Sequence, residues 1–299
     1  MSLVVGYADK EIACLVADTL LTFPFHMKDR TAGPVNGQYH ALKIHILTPN
    51  LAVAFAGHVN EVLEVISRLN KRMENQNTID IPGEVHMIYK TLVQGTVTDK
   101  PDCEFLVLEI LENGNRLSHV TLESSRECER AYIGDGDAYR RVQALIRPYV
   151  APKKQDIQRA DGSFAEVSLT SSNGESAFME IANAMEAMVH ERGIESVGAI
   201  CGNVIRVVNA RLSGKLEYLQ SIEAGISPEE GRFGFTVLAD NSSKRKAVAL
   251  YFFGGKFGYL LRVGDEKLCW KESSTSLREF IEIVAEKYGI HLVGGTWDF

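Results

Sequence analysis

Residues 2–18 read SLVVGYADKEIACLVAD, and the rest of the fold can be reasoned outward from them. Leu3 to Tyr7 and Glu11 to Ala17 are apolar runs rich in β-branched residues, split by the polar turn Ala8-Asp9-Lys10. That pattern predicts a β-hairpin with both strands largely buried. Asp18 falls where the second strand ends, opposite the start of the first. Further along, Lys43 opens another apolar run, Ile44 to Leu47, and a third run, Leu51 to Ala56, ends in Gly57 and passes into a helical pattern. The order predicts that Ser2, Asp18 and Lys43 converge on one end of one sheet.

Together these side chains suit nucleophilic chemistry. Removal of an initiator Met before a small residue would leave Ser2 with a hydroxyl and a free α-amine. The ordinary pKa of such an amine, about 7.7–8.0, leaves part of it unprotonated near neutral pH, able to take the hydroxyl proton. One residue then supplies both nucleophile and base. Asp18 offers a carboxylate to hold an ammonium group, and Lys43 offers the ammonium.

This order of elements resembles the proteasome β-subunit and its bacterial relatives, within the N-terminal nucleophile (Ntn) hydrolase superfamily. Its members begin with Thr, or with Ser or Cys elsewhere in the superfamily, and carry Gly four residues on, Asp sixteen on and Thr four after that. Those places hold Ser2, Gly6, Asp18 and Thr22 here. The family's catalytic Lys opens the next strand, as Lys43 does, although Phe23 to Leu42 carries an insertion of roughly ten residues relative to the family.

A second block supports the resemblance. The family has a strand ending in a Gly-Ser-Gly loop before an Ala/Tyr-rich helix, and residues 130–141 read RAYIGDGDAYRR. Gly134 and Gly136 can adopt positive φ and let the backbone approach the chain start. Asp135 replaces the family's Ser. Residues 52–69, AVAFAGHVNEVLEVISRL, resemble the family's strand, tight Gly turn and first packing helix, with Val62, Leu63, Val65, Ile66 and Leu69 at helical spacing. The resemblance covers residues 2 to 215. It implies Ser2, Asp18 and Lys43 as catalytic residues, Thr22 on the substrate cleft, and Ala54 in place of the Gly whose N–H helps bind the oxyanion. The family's later acidic residue has no clear counterpart: Glu195 is the one carboxylate in the corresponding stretch, 193–208, and Asp135 is the alternative.

Composition fits a folded enzyme without choosing one. A chain of 299 residues with 45% hydrophobic content can bury a full core. The net charge of −7 and the scatter of its 32 basic residues argue against a nucleic-acid groove. Five cysteines without a C-x-x-C pair read as reduced thiols of a cytoplasmic protein, not as a disulfide framework or zinc site. The histidines at 26, 40, 45 and 58 lack the i, i+4 spacing of a helical metal pair, so neither metal nor cofactor is expected. No apolar run reaches the 18 or more residues that read as a membrane helix, and charges interrupt the apolar start.

Helical patterns follow at Pro82 to Val97 and Glu175 to Glu191, the latter with Phe178, Ile181, Met185 and Met188 on one side. Strands flank the turn Glu112-Asn113-Gly114-Asn115, and a polar, irregular connection is expected from Pro148 to Ser172. Strand returns at Val197 to Val208 and Leu216 to Ile222. The expected fold is α+β, a four-layer αββα sandwich over 1–222, with a strand-rich extension over 223–299 that ends in a helix from Ser276 to Tyr288. Three functions remain open: a peptidase acting through Ser2 on peptides or unfolded protein, a non-catalytic assembly subunit, and an amidase of small substrates. The resemblance also implies a homo-oligomer with a gating partner, and neither nucleic acid nor membrane as a partner.

Overall fold

The computed structural model describes residues 2–10, 12–19, 40–75, 80–94, 102–146, 155–158, 164–167, 173–189, 204–210, 214–219, 221–223, 235–242, 246–263 and 269–294. Thr22, Glu195 and most of the insertion before Lys43 lie outside these residues. The hairpin β1 (Leu3–Ala8) and β2 (Ala13–Asp18) closes through Asp9, whose carboxylate accepts the Ile12 N–H at 2.7 Å while its own N–H bonds the Ile12 carbonyl. β2 begins at Ala13, so the second strand starts later than its apolar run. β3 (Ile44–Thr48) and β4 (Leu51–Ala56) follow, then helices α1 (Val59–Asn75) and α2 (Ile81–Gln94). Next come β5 (Glu104–Leu111), β6 (Gly114–Val120), β7 (Ser125–Cys128), β8 (Arg130–Gly134) and α3 (Gly136–Leu145).

The remaining elements are the short hairpin β9 (Gln155–Gln158) and β10 (Phe164–Val167), helix α4 (Asn173–Val189), β11 (Val204–Ala210) and β12 (Lys215–Tyr218). β13 (Ser221–Glu223), β14 (Phe235–Asp240), β15 (Ala247–Phe252), β16 (Phe257–Arg262), β17 (Trp270–Ser273) and α5 (Leu277–Tyr288) complete the chain. The class is α+β, and every strand pairing among the described residues is antiparallel. Three five-stranded sheets form, in the orders β12-β11-β2-β1-β8, β3-β4-β5-β6-β7 and β13-β14-β15-β16-β17.

Period-2 alternation sorts the side chains of β1 and β2. Leu3, Val5, Cys14 and Val16 pack on Ala138 and Val142 of α3 and on Ile181, Met185 and Met188 of α4. Val4, Ala8, Ala13, Leu15 and Ala17 instead join Ile44, Ala52, Ala54, Ala56, Leu106 and Leu117 of the second sheet. Gly6 lies in that second row, and a Cβ there would come within 3.0 Å of Leu117 and 3.1 Å of Leu106. Its missing side chain lets the two sheets approach. The second sheet's other row, including Val53, Phe55, Phe105 and Val107, packs on Val62, Val65, Ile66 and Leu69 of α1 and on α2. The α1 stripe is therefore core.

The third sheet adds to the same interior. Val237, Ala239, Val248, Leu250, Tyr259 and Leu261 join the core shared by the first two sheets, while Leu238, Ala249, Tyr251 and Leu260 pack on Phe280 and Val284 of α5. Its first strand begins at Ser221, so the expected single strand 216–222 is instead two strands in different sheets, and the boundary at 222/223 falls inside β13. The expected irregular connection contains β9 and β10; each is only four residues long, too short for an alternation to be visible.

Tyr218 ties the first sheet to the second. Its buried hydroxyl donates to the Ile44 carbonyl at 2.7 Å and accepts the Ile46 N–H at 3.2 Å, both in β3. Removing that oxygen leaves two buried backbone groups short of a partner, so Tyr218→Phe should lower stability by about 1–3 kcal/mol. Urea denaturation with an unchanged m value is the check.

Candidate active site

Asp18 ends β2, and the register Val4↔Ala17 sets it opposite Leu3. Its carboxylate is fully buried and is used twice. Oδ1 accepts the Leu3 N–H at 2.9 Å, and Oδ2 accepts the Lys43 ammonium at 2.6 Å. Lys43 is 1% exposed and Asp18 0%. Burial pushes the Lys43 pKa down, and the Asp18 charge and hydrogen bond oppose that shift. Lys43 immediately precedes β3, and its carbonyl accepts the Phe55 N–H at 3.1 Å. The pair therefore spans two sheets, which corrects the expectation that Ser2, Asp18 and Lys43 meet on one: Asp18 belongs to the first sheet and Lys43 adjoins the second.

Ser2 is half-buried and held from the opposite side. Its carbonyl accepts the Asp135 N–H at 2.8 Å. Gly134, with φ 94°, must be glycine, because a Cβ there would lie 1.9 Å from the Ser2 oxygen. Asp135 sits in that same turn and is also the N-cap of α3, its Oδ1 accepting the N–H groups of Asp137 and Ala138 at 2.9 and 3.0 Å.

Ala54 lies one residue before Phe55, whose N–H bonds the Lys43 carbonyl. It pairs with Ile44 on one side and Leu106 on the other, two residues inside β4, and its side chain is in the core between the sheets. The part of β4 near Ser2 is its last residue, since a Cβ on Gly134 would come within 3.1 Å of Ala56 as well as meeting the Ser2 carbonyl. Gly57 follows with φ 118° as the strand turns toward α1.

Glu104, which sequence reasoning did not single out, opens β5 and reaches the same turn. Its Oε2 accepts the Gly134 N–H at 2.9 Å, and its Oε1 bonds His119 Nε2 at 3.2 Å. Burial opposes its ionisation, but the bonds from His119 and the Gly134 amide outweigh that and hold the carboxyl below its ordinary range. A second unanticipated group lies beside Asp18. The Thr19 hydroxyl bonds His40 Nδ1 at 3.0 Å, the Ala41 N–H donates to the Thr19 carbonyl at 2.9 Å, and the His40 ring rests against Tyr259, centroids 4.7 Å apart.

Among the described residues no group of three or more His, Cys, Asp or Glu is placed to hold a metal ion, and no helix is long and apolar enough to cross a membrane. No model of a known protein family matches the chain, and a search of curated proteins finds no match. Chemically, the arrangement can present Ser2 at a fixed position between a buried cation and a turn of backbone N–H groups.

The two buried imidazoles flanking Lys43 give the site a pH signature. His40 is pushed down to about 4 by burial and by the Lys43 charge. His45 is also pushed down to about 4, by burial, which outweighs the bond its Nε2–H donates to the Leu42 carbonyl at 2.9 Å. His40 Nε2 and His45 Nδ1 have no partner, as suits neutral rings. Unfolded histidines bind protons near pH 6.5, so between about 4 and 6.5 the unfolded chain holds more protons and stability rises with pH. Acidification from pH 6.5 to 4.5 should therefore cost on the order of 2–3 kcal/mol per ring. His45→Gln, which keeps a donor for Leu42 but does not titrate, should flatten its share in denaturant melts at the two pH values.

Proposed function

We propose that the chain is a proteasome-like Ntn hydrolase that cleaves amide bonds of peptides or unfolded protein through Ser2, exposed as the first residue by removal of Met1. The observation that carries this reading is the Asp18 carboxylate bridging the Leu3 amide and the Lys43 ammonium. A buried ion pair is poor value as a structural device, because apolar replacement is often neutral or stabilising. A perturbed cation beside a potential nucleophile is the arrangement that catalysis requires. The packing of α3 and α4 on one sheet, that sheet on the next, and α1 and α2 beyond supports the αββα sandwich of that superfamily.

In this mechanism the Ser2 hydroxyl attacks the scissile carbonyl carbon and passes its proton to the α-amine. The carbonyl electrons move to oxygen, and backbone N–H groups at the end of β4 stabilise that charge. Collapse breaks the C–N bond, and the amine returns its proton to the leaving nitrogen, which leaves an ester on Ser2. Water then attacks the ester, again giving its proton to the amine, and releases the acid. Lys43 keeps the amine unprotonated by like-charge repulsion, and Asp18 holds Lys43 in place. The reading includes a cytoplasmic homo-oligomer opened by a gating partner.

Intact mass of the native protein should lack Met1, and Ser2→Ala should abolish hydrolysis of a fluorogenic peptide while Ser2→Thr or Ser2→Cys keeps part of it. Retained Met1 would overturn the assignment and leave a non-catalytic subunit, and a Ser2→Ala protein as active as its parent would overturn it in favour of another nucleophile. Lys43→Met should cost at least about 10²-fold in rate. It also strands a buried carboxylate, at about 3–5 kcal/mol. Combining it with Asp18→Asn should recover much of the stability and none of the activity. Restored activity in that double variant would remove Lys43 from the mechanism.

A further inference from the structure

Ser2 depends on the turn between β8 and α3, and that turn depends on a side chain from the other sheet. Gly134 is the last residue of β8 and pairs with Leu3, so its N–H lies one residue from the proposed nucleophile. Glu104 of β5 receives that N–H at 2.9 Å, and the following amide, of Asp135, grips the Ser2 carbonyl at 2.8 Å. Two consecutive N–H groups therefore connect Glu104 to Ser2. No side chain on Gly134 could substitute for this hold, since the backbone touches the Ser2 oxygen directly.

Glu104 is itself oriented. His119 of β6 stands at its Oε1, and the Arg126 guanidinium of β7 lies 3.5 Å from His119 Nδ1. A guanidinium only donates, so Nδ1 is the accepting nitrogen and the imidazole proton sits on Nε2, directed at Glu104. Arg126 pairs with His119 in the β6–β7 register. A polar row thus runs across the second sheet from its edge strand to Glu104 and there crosses to the first sheet at Gly134.

We infer that Glu104 is a positioning residue for the Ser2 nucleophile, fixing through the Gly134–Asp135 turn where the first residue sits relative to Lys43. The inference rests on the reading of Ser2 as nucleophile. Its chemistry is the accepted Gly134 N–H, and a Gln keeps one oxygen for that N–H while its NH2 faces His119, so a neutral acceptor of the same length should serve in part.

Three proteins decide it: the parent, Glu104→Ala and Glu104→Gln, each examined by peptide hydrolysis and by amide hydrogen exchange over residues 130–136. In Glu104→Ala the Gly134 amide should lose protection, and kcat should fall roughly 10- to 100-fold, the scale of a small misplacement. KM should stay within about two-fold, because substrate contacts are untouched. Glu104→Gln should restore part of both readouts, since its one amide oxygen can still accept the Gly134 N–H, which separates positioning from general destabilisation and remains informative if the Ala variant fails to fold. Unchanged exchange at Gly134 in Glu104→Ala would overturn the inference, as would altered exchange with unchanged kcat, or a Gln variant as impaired as Ala. A parent protein that hydrolyses nothing while Glu104→Ala still loosens Gly134 would instead defeat the reading of Ser2 and leave Glu104 as a structural pin.

Discussion

The Asp18 carboxylate is the constraint on which the rest of this structure depends. It is fully buried, and each of its oxygens answers a different part of the molecule: the start of the chain at Leu3 and the cation that precedes the second sheet. A carboxylate in that position carries a desolvation cost of several kcal/mol unless its hydrogen bonds and counter-charge are in place. The chain start, the end of β2 and the entry to β3 must therefore assemble together. Because Lys43 and Asp18 come from different sheets, the pair also fixes the spacing between them.

That spacing is set by small residues. Sheets packed face to face ordinarily lie about 10 Å apart with large side chains interdigitating. Here the facing rows contribute Ala8, Ala13, Ala17, Ala52, Ala54 and Ala56, with Gly6 beneath Leu106 and Leu117. The bulk needed to fill the interior comes instead from the leucines of β5 and β6 and from the third sheet. Close approach near the Ser2 end is what allows Glu104 of one sheet to accept a backbone N–H from the other.

Much of this was legible in the chain, and the reasons differ from residue to residue. Asp18 and Lys43 stand at the ends of apolar runs, where a charge is conspicuous, so strand reading alone found them. Gly134 and the helix after it announced themselves through turn chemistry. Glu104 did not, because a carboxylate at the head of a strand is ordinary; its meaning comes from residue 134, thirty positions away and in another sheet. His40 was visible only as a failed metal ligand, although its bond to Thr19 places it at the site. The place of Ala54 was illegible for a related reason: six consecutive apolar residues give no internal mark of which one reaches the strand end, and only the approach of Ala56 to Gly134 shows which does. The third sheet was legible as strands, but its partners were not, since apolar alternation says that a face is buried and never against what.

The long segment before Lys43 poses a physical question, since extra chain beside a buried ion pair would be expected to loosen it. Its ends answer the question. The chain leaves the described core at Thr19 and returns at His40, and these two residues are bonded to each other through hydroxyl and imidazole, with a backbone bond from Ala41 to Thr19 beside them. Tyr259 of the third sheet closes on the His40 ring from behind. Asp18 and Lys43 thus flank a clamp that is already shut. A clamp of this kind fixes both ends of the segment beside the ion pair, and lengthening a flexible loop between fixed ends costs only about 0.6 kcal/mol per doubling.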